Sequence, residues 1–330
     1  MAKVVDRRSV VRNLALLSGT LPFAAACAHQ ARHVPRIGFL TGAQYTHTIA
    51  AFRDELRRLG YIEGENLILE MRLSGANPSD QAVQAAQLGQ MDLELIVAAA
   101  LPTALEVRRV NPNVPMVIAT CPGMVSNGFA QSLERPGGNV TGMDELPPGL
   151  TRRRMTLLKT AAPEVSRVAL LSTTPGRGGH ETQLADAEQA AAGLGVTVKP
   201  YRVTSADAFE GAFAAIVADG MDGLVNFQGG LSLTHRQRIV DFAAERHIPA
   251  IYQATLFAEA GGLMAWAPDL EDQYRIAARY ADQILRGANA GDLPIRHPSQ
   301  YFLTINAGAA RGLSLTLPPS LLNEATRIIE

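Results

Sequence analysis

"RIGFLTGAQYTHTIAAFRDELRRLGYIEGENLILEM", residues 36–71, carries two hydrophobic periods in succession. Ile37 to Leu40 is a short apolar run that ends in Thr41-Gly42, the length of a strand. From Thr48 the spacing changes: Ile49, Phe52, Leu56 and Leu59 fall on one face of a helix, and Arg53, Asp54, Arg57 and Arg58 on the other. Gly60 supplies the stop, and "NLILEM" (66–71) opens a second apolar run. Strand, amphipathic helix and strand in this order make a βαβ unit, which predicts a parallel sheet covered by helices.

Working outward, the unit repeats. "ELIVAA" (94–99) and "PMVIA" (115–119) continue the first series. "RVALLS" (167–172), "VTVKPY" (196–201), "GLVNF" (223–227), "AIY" (250–252) and "GLMAW" (262–266) form a second, separated by Ala-rich helical segments such as 181–194. Pro147, Pro148 and Gly149 interrupt regular structure and place the boundary in "GMDELPPGL" (142–150). The tail adds a strand at 301–305, a short helix from Ala307 and a helix starting at Pro318-Pro319, where proline's missing N–H costs nothing. The fold class expected is α/β, with two Rossmann-like units in tandem.

Composition agrees with two ordinary cores. The chain has 330 residues, 47% of them hydrophobic and 18% charged, a size that suits two domains. Lys plus Arg number 30 against 31 for Asp plus Glu. No basic field exists to gather nucleic acid, which is not expected as a partner. Ahead of the first unit, Arg7, Arg8 and Arg12 precede an apolar run, 14–26, that is too short to span a bilayer and ends in small residues. Residues 1–27 are therefore read as an export signal of twin-arginine type, and 28–35 as a linker. "AAAC" (24–27) leaves two processing routes open, lipidation of Cys27 or plain cleavage beside it. A periplasmic or outer-face location follows, with no membrane contact beyond such a lipid anchor. Cys121 is the one cysteine inside the two units, so no disulfide framework is expected.

In an open α/β sheet, ligands bind beyond the carboxyl ends of the strands. The residues there are small and polar. Thr41, Gln44, Thr103, Thr120 and Cys121 follow the strands of the first unit, and Thr173, Asn226, Gln228, Tyr252, Gln253 and Trp266 those of the second. Hydroxyls and amides with a few aromatics suit reversible capture of a small polar or amphipathic molecule. Catalysis lacks its parts. There is no G-x-S-x-G elbow, and no base adjoins Cys121 in sequence, although a helix near Met124 is expected to start beside it. The seven histidines show no metal-ligand spacing, so neither metal nor cofactor is expected. "TTPGRGGHE" (173–181) lacks both phosphate-loop signatures, and "RRRM" (152–155) reads as the solvated first turn of a helix that ends near Ala162.

Several ordered stretches together resemble a known family. "AAFRDELRRLGYIEGENLILEMR" (50–72), "RPGGNVTG" (135–142), "HIPAIYQATLFAEAGGLMAWAPDL" (247–270) and "PSQYFLTIN" (298–306) are similar to the substrate-binding proteins of ABC transporters, in the TrpX-like family. The resemblance implies a type I periplasmic-binding fold, two hinge-linked lobes that close on a ligand. It also implies discontinuous lobes: 36–145 with about 268–290, and 146–267 with about 300–330. Implied partners are a small-molecule ligand, with aromatic amino acids known in the family, and a membrane permease with its ATPase. The binding protein itself is expected to be a monomer. A sensor module of the same fold is the alternative, and an enzyme the third reading. Two departures bear on the ligand. Ala100-Leu101-Pro102 stands where the family commonly has Gly-Thr-Pro, and Cys121-Pro122 where it has Asp-Pro, so a carboxylate for a ligand ammonium is missing at 121. Asp269 and Glu259 are the candidates to replace it.

Overall fold

In the computed structural model the described residues are 33–75, 78–173, 178–227 and 229–330. The export signal, Cys27, Gln228 and the turn 174–177 lie outside them. The first series folds as β1 (Arg36–Gly42), α1 (Ile49–Arg58), β2 (Ile68–Ser74), α2 (Pro78–Leu88), β3 (Leu95–Ala98), α3 (Leu101–Val110), β4 (Met116–Cys121) and β5 (Val140–Asp144). The second runs α4 (Leu150–Ala161), β6 (Arg167–Ser172), α5 (Gly178–Leu194), β7 (Thr197–Arg202), α6 (Phe209–Ala218), β8 (Gly223–Asn226), α7 (Gly230–Thr234), α8 (Arg236–Glu245), β9 (Ala250–Tyr252), α9 (Thr255–Glu259) and β10 (Met264–Pro268). The chain ends with α10 (Leu270–Leu285), β11 (Tyr301–Asn306), α11 (Ala307–Gly312), α12 (Pro319–Glu324) and β12 (Arg327–Ile329).

Two sheets result, in the orders β2-β1-β3-β4-β5 and β12-β11-β10-β9-β8-β6-β7. Every pairing in the first is parallel. In the second, β11 alone meets its neighbour β10 antiparallel, and β12 follows β11 in parallel. The order β7-β6-β8-β9-β10 repeats β2-β1-β3-β4-β5. Each sheet therefore has one point, between β1 and β3 or between β6 and β8, where successive connections leave in opposite directions and open a crevice at the strands' carboxyl ends. The α/β reading and its two parallel-dominated sheets stand.

Strand β5 follows from the "RPGGNVTG" stretch although its residues do not read as a strand. Gly142 has φ +146°, and a Cβ there would lie 2.0 Å from the carbonyl oxygen of Ile118 on β4, so only glycine lets the two strands approach. The ladder shifts register between Ile118 and Cys121 at this point. A second close approach secures the same stretch from outside. Gly137 N–H donates to the carbonyl of Gly291 at 2.9 Å, and a Cβ on Gly291 would lie 2.3 Å from the Gly138 oxygen.

Helix α10 belongs with the first sheet although it follows the second in sequence. Tyr274 packs its ring against Phe39 at 6.3 Å and donates its hydroxyl to the Ala99 carbonyl at 3.2 Å. Arg279 pairs with Glu55 at 2.7 Å, and the Tyr61 hydroxyl donates to Asp282 at 3.0 Å, which fixes α10 against α1. The chain thus passes between the two sheets three times, at 145–149, at Asp269, and along 293–300. These passages sit within one compact unit, Val34–Glu330, and its largest buried cluster runs from Phe39 and Tyr274 through Leu171 and Tyr252.

Two local expectations are corrected. Residues 124–128 form a turn, not a helix, because Gly123 (φ +88°) and Gly128 (φ +71°) bracket it. Arg154 is not part of a solvated turn. It is fully buried, because the face of α4 that it shares with Leu150, Leu157 and Leu158 is the one packed on the sheet.

Candidate functional site

A cavity of about 580 Å³ lies where the carboxyl ends of the two sheets meet the crossing segments. Tyr45 and His47 reach it from the short 3-10 turn Ala43–Thr48 that follows β1. Gly229, Leu233, Gln253, Ala254 and Leu256 come from the ends of β8 and β9, and Glu145, Asp269, Leu270 and Phe302 from the crossings and β11. A small recess of about 20 Å³ shares Tyr45, Glu145 and Gly229 and adds Ala100, Leu101, Thr120 and Pro122. Both topological crevices therefore feed one space.

Among the residues expected at the site, Thr120 and Gln253 line this space. Thr120 donates its hydroxyl to the Ala99 carbonyl at 2.9 Å. Gln253 donates its Nε2 to the Gly229 carbonyl at 3.1 Å and to Ser232 Oγ at 2.8 Å, and its buried Oε1 has no partner. Thr103 folds its hydroxyl onto its own helix end, donating to the Ala100 carbonyl at 2.8 Å and accepting from Ala100 N–H at 3.1 Å. Replacing it by valine should lower stability by about 1 kcal/mol, measured as a shift of the urea midpoint. Thr41 is buried, makes a 3.3 Å contact to the Gly42 carbonyl and faces the Tyr274 hydroxyl. Thr173 accepts from Ser232 N–H at 3.0 Å and so holds the loop that roofs the second crevice.

Asn226, Tyr252, Trp266 and Cys121 are not among the residues that line this space. Asn226 is fully buried, donates to the Leu171 carbonyl at 3.4 Å and leaves Oδ1 without a partner. Tyr252 stacks on Phe257 in the core, 4.8 Å between centroids. Trp266 stacks on Tyr301 at 5.8 Å. Gln44 lies within the 3-10 turn after β1. Cys121 turns into an apolar cluster with Leu40, Met124 and Phe129. It is a free thiol; burial, then the Asp144 and Glu145 carboxylates, push it well up and keep it protonated.

Sequence reading missed Tyr45, Glu145 and Arg154. Glu145 is the first residue of the first crossing and touches both cavities. Burial pushes its carboxyl up to about 7, opposed by the adjacent Gln273 amide, reinforced by Asp144 and opposed again by Arg154. Asp144 is also raised by burial, against the pull of three backbone N–H donors, those of Met124 (2.8 Å), Leu146 (2.9 Å) and Gly123 (3.1 Å). It clamps the turn after β4 to β5. Arg154 donates Nε and Nη2 to the Trp266 carbonyl at 3.1 and 2.9 Å, tying α4 to β10; burial lowers it to about 10. Asp269 caps α10 by accepting from Asp272 N–H at 3.0 Å. Among the described residues, no cluster of three or more His, Cys, Asp or Glu side chains is placed to hold a metal ion, and no helix is long and apolar enough to cross a membrane.

Two α/β lobes with a cavity between their strand ends define a bilobal ligand-binding protein. Residues 37–329 match the model of the family described as ABC transporter substrate binding protein, and the chain belongs to that family. A tyrosine-binding protein of Clostridioides difficile (strain R20291) is 22% identical over 265 residues, 80% of this chain and 75% of that protein. Among solved structures, an ABC domain from Streptococcus pneumoniae in complex with L-Trp superposes with a TM-score of 0.83 at 23% identity, over 90% of this chain and all of that one. A solute-binding protein of Rhodopseudomonas palustris BisB5, in complex with 3,4-dihydroxybenzoic acid, gives 0.54 at 13% identity, over 78% and 83%. The protein is a solute-binding protein for a small ligand, and its family works with the permease and ATPase of an ABC transporter.

Proposed function

We propose that this protein captures a small amino-acid-like or amphipathic solute between its lobes, outside the cytoplasmic membrane, and delivers it unchanged to the permease of an ABC importer. The observation that carries this reading is the cavity of about 580 Å³ at the carboxyl ends of both sheets, with Glu145 on a crossing segment. A ligand that touches Tyr45 and Thr120 on one side, Gln253 on the other and Glu145 between them is held by contacts that exist together only when the lobes are closed. Thr41, Thr103, Thr173 and Asn226 serve the site by shaping strand ends and loops. The lobes are taken as 36–145 with about 268–290, and 146–267 with about 300–330. The protein acts as a monomer. Residues 1–27 direct export, and Cys27 is the acylated residue; the intact mass of the mature protein reads this directly.

The cleft itself is tested by blocking it. Ala254 is half-buried in the cavity wall. An Ala254→Trp variant should fold normally and lose the solute that co-purifies with the wild type, identified by mass spectrometry after denaturation. Undiminished solute in this variant would place the binding site elsewhere.

A further inference from the structure

The charged residues that line the cavity, among the described residues, are Glu145, Glu259, Asp269, Glu271 and His47, with neither lysine nor arginine. Three of the carboxylates have cations outside the cavity. Glu259 pairs with Arg327, and Arg275 lies 2.7 Å from Glu271 and 3.9 Å from Asp269. Glu145 has no ion pair, and the nearby guanidinium of Arg154 is directed to the Trp266 carbonyl.

Two uncharged polar groups of the site, Thr120 and Gln253, point the same way. The donors of Thr120 and Gln253 are both committed to protein acceptors. What they leave over is acceptor capacity. Gln253 is 7% exposed and its buried Oε1 has no partner. A buried acceptor without a donor is costly, and a carboxylate in a partly dry cleft more so, so the complementary ligand group is a cationic donor. The rest of the wall, Tyr45, Leu233, Leu256, Leu270 and Phe302, suits an apolar body.

We propose that the cleft selects a primary ammonium on an apolar body, an arylalkyl- or alkylamine, in preference to the matching carboxylic acid, with Glu145 as the countercharge and no carboxylate required on the ligand. This rests on the reading of the cavity as the solute site.

The test uses the purified protein freed of bound solute, titrated calorimetrically at pH 8 with three probes of one shape: tyramine, tyrosine and 3-(4-hydroxyphenyl)propionate. Hexylamine and hexanoate form a second pair. The amines should bind at least 100-fold more tightly than the acids, and tyramine no more weakly than tyrosine. Glu145→Gln should weaken amine binding at least tenfold without weakening the acids. Equal or tighter binding of the acids, no binding of either amine, or amine affinity untouched in Glu145→Gln would overturn the proposal. Ala254→Trp separates the two readings. If it abolishes binding of acids that the wild type prefers, the cleft stands and only the amine preference falls; if it spares all binding, the cleft reading falls as well.

Discussion

Arg154→Ala should destabilise the protein by about 3–5 kcal/mol, more than any other single substitution considered for this chain. The guanidinium is fully buried on α4 and donates two hydrogen bonds to one carbonyl, that of Trp266. Charge-assisted bonds of this type contribute about 1.5–3 kcal/mol, and truncating a long buried side chain adds a cavity cost of about 24 cal/mol per Å³. Arg154→Met keeps most of the volume and removes the buried charge with its desolvation cost, so it should lose less than half as much. Denaturant unfolding of both variants checks the ordering. Equal losses would show that the bonds to Trp266 account for the whole effect and packing for none of it, whereas an unimpaired Arg154→Met would show that packing alone holds this arginine in place.

Glu145→Gln should act in the opposite direction on stability. The Glu145 carboxyl is lifted from an ordinary 4.5 to about 7, mainly by burial. The groups that act on it are the Gln273 amide and Asp144 beside it, Arg154 on α4, Cys121 on β4, Tyr45, Tyr274 on α10 and Tyr301 on β11. Because the native state holds the proton more tightly than the unfolded chain, its advantage is greatest below pH 4.5. It is lost as pH rises to about 7 and stays lost above. The full displacement corresponds to roughly 3 kcal/mol, reduced to about 1–3 because the side chain is only half-buried. The glutamine variant should therefore be more stable than wild type by that amount at pH 8 and equal to it at pH 4.5. Denaturation curves at the two pH values decide, and a pH-independent difference would remove Glu145 as the cause. A carboxylate kept on a cavity wall at a cost to stability follows the usual trade between stability and function.

The strand-end rule points to the loops of the βαβ units that surround the cavity, but it does not give the direction of a side chain. Thr120 and Cys121 show why. Side chains alternate across a strand, so Thr120 lines the recess while Cys121 turns into the apolar cluster with Met124 and Phe129. Hydroxyls such as that of Thr103 were read as ligand contacts, yet short polar side chains readily bond to their own backbone, as this one does to Ala100. The fold was legible where period and length agreed, as in β1, α1 and β2. It was not legible in β5, whose glycine and aspartate mask the strand pattern and whose close approach at Gly142 appears only once β4 is in place. Arg154 was hidden for a similar reason. A run of three arginines reads as a wet surface until the partner of each face is known.

The docking of α10 on the first sheet has a consequence for biosynthesis. Phe39 and Phe52 form an edge-to-face pair on that sheet, and Tyr274 of α10 covers Phe39. A nascent chain that has finished β5 has every strand of its first lobe but not the helix that seals it, and must complete the whole second sheet through β10 before α10 emerges. The two lobes therefore mature together rather than in turn. A chain cut between them, however carefully placed the cut, would leave the first lobe with an uncovered aromatic face and no independent route to its native state.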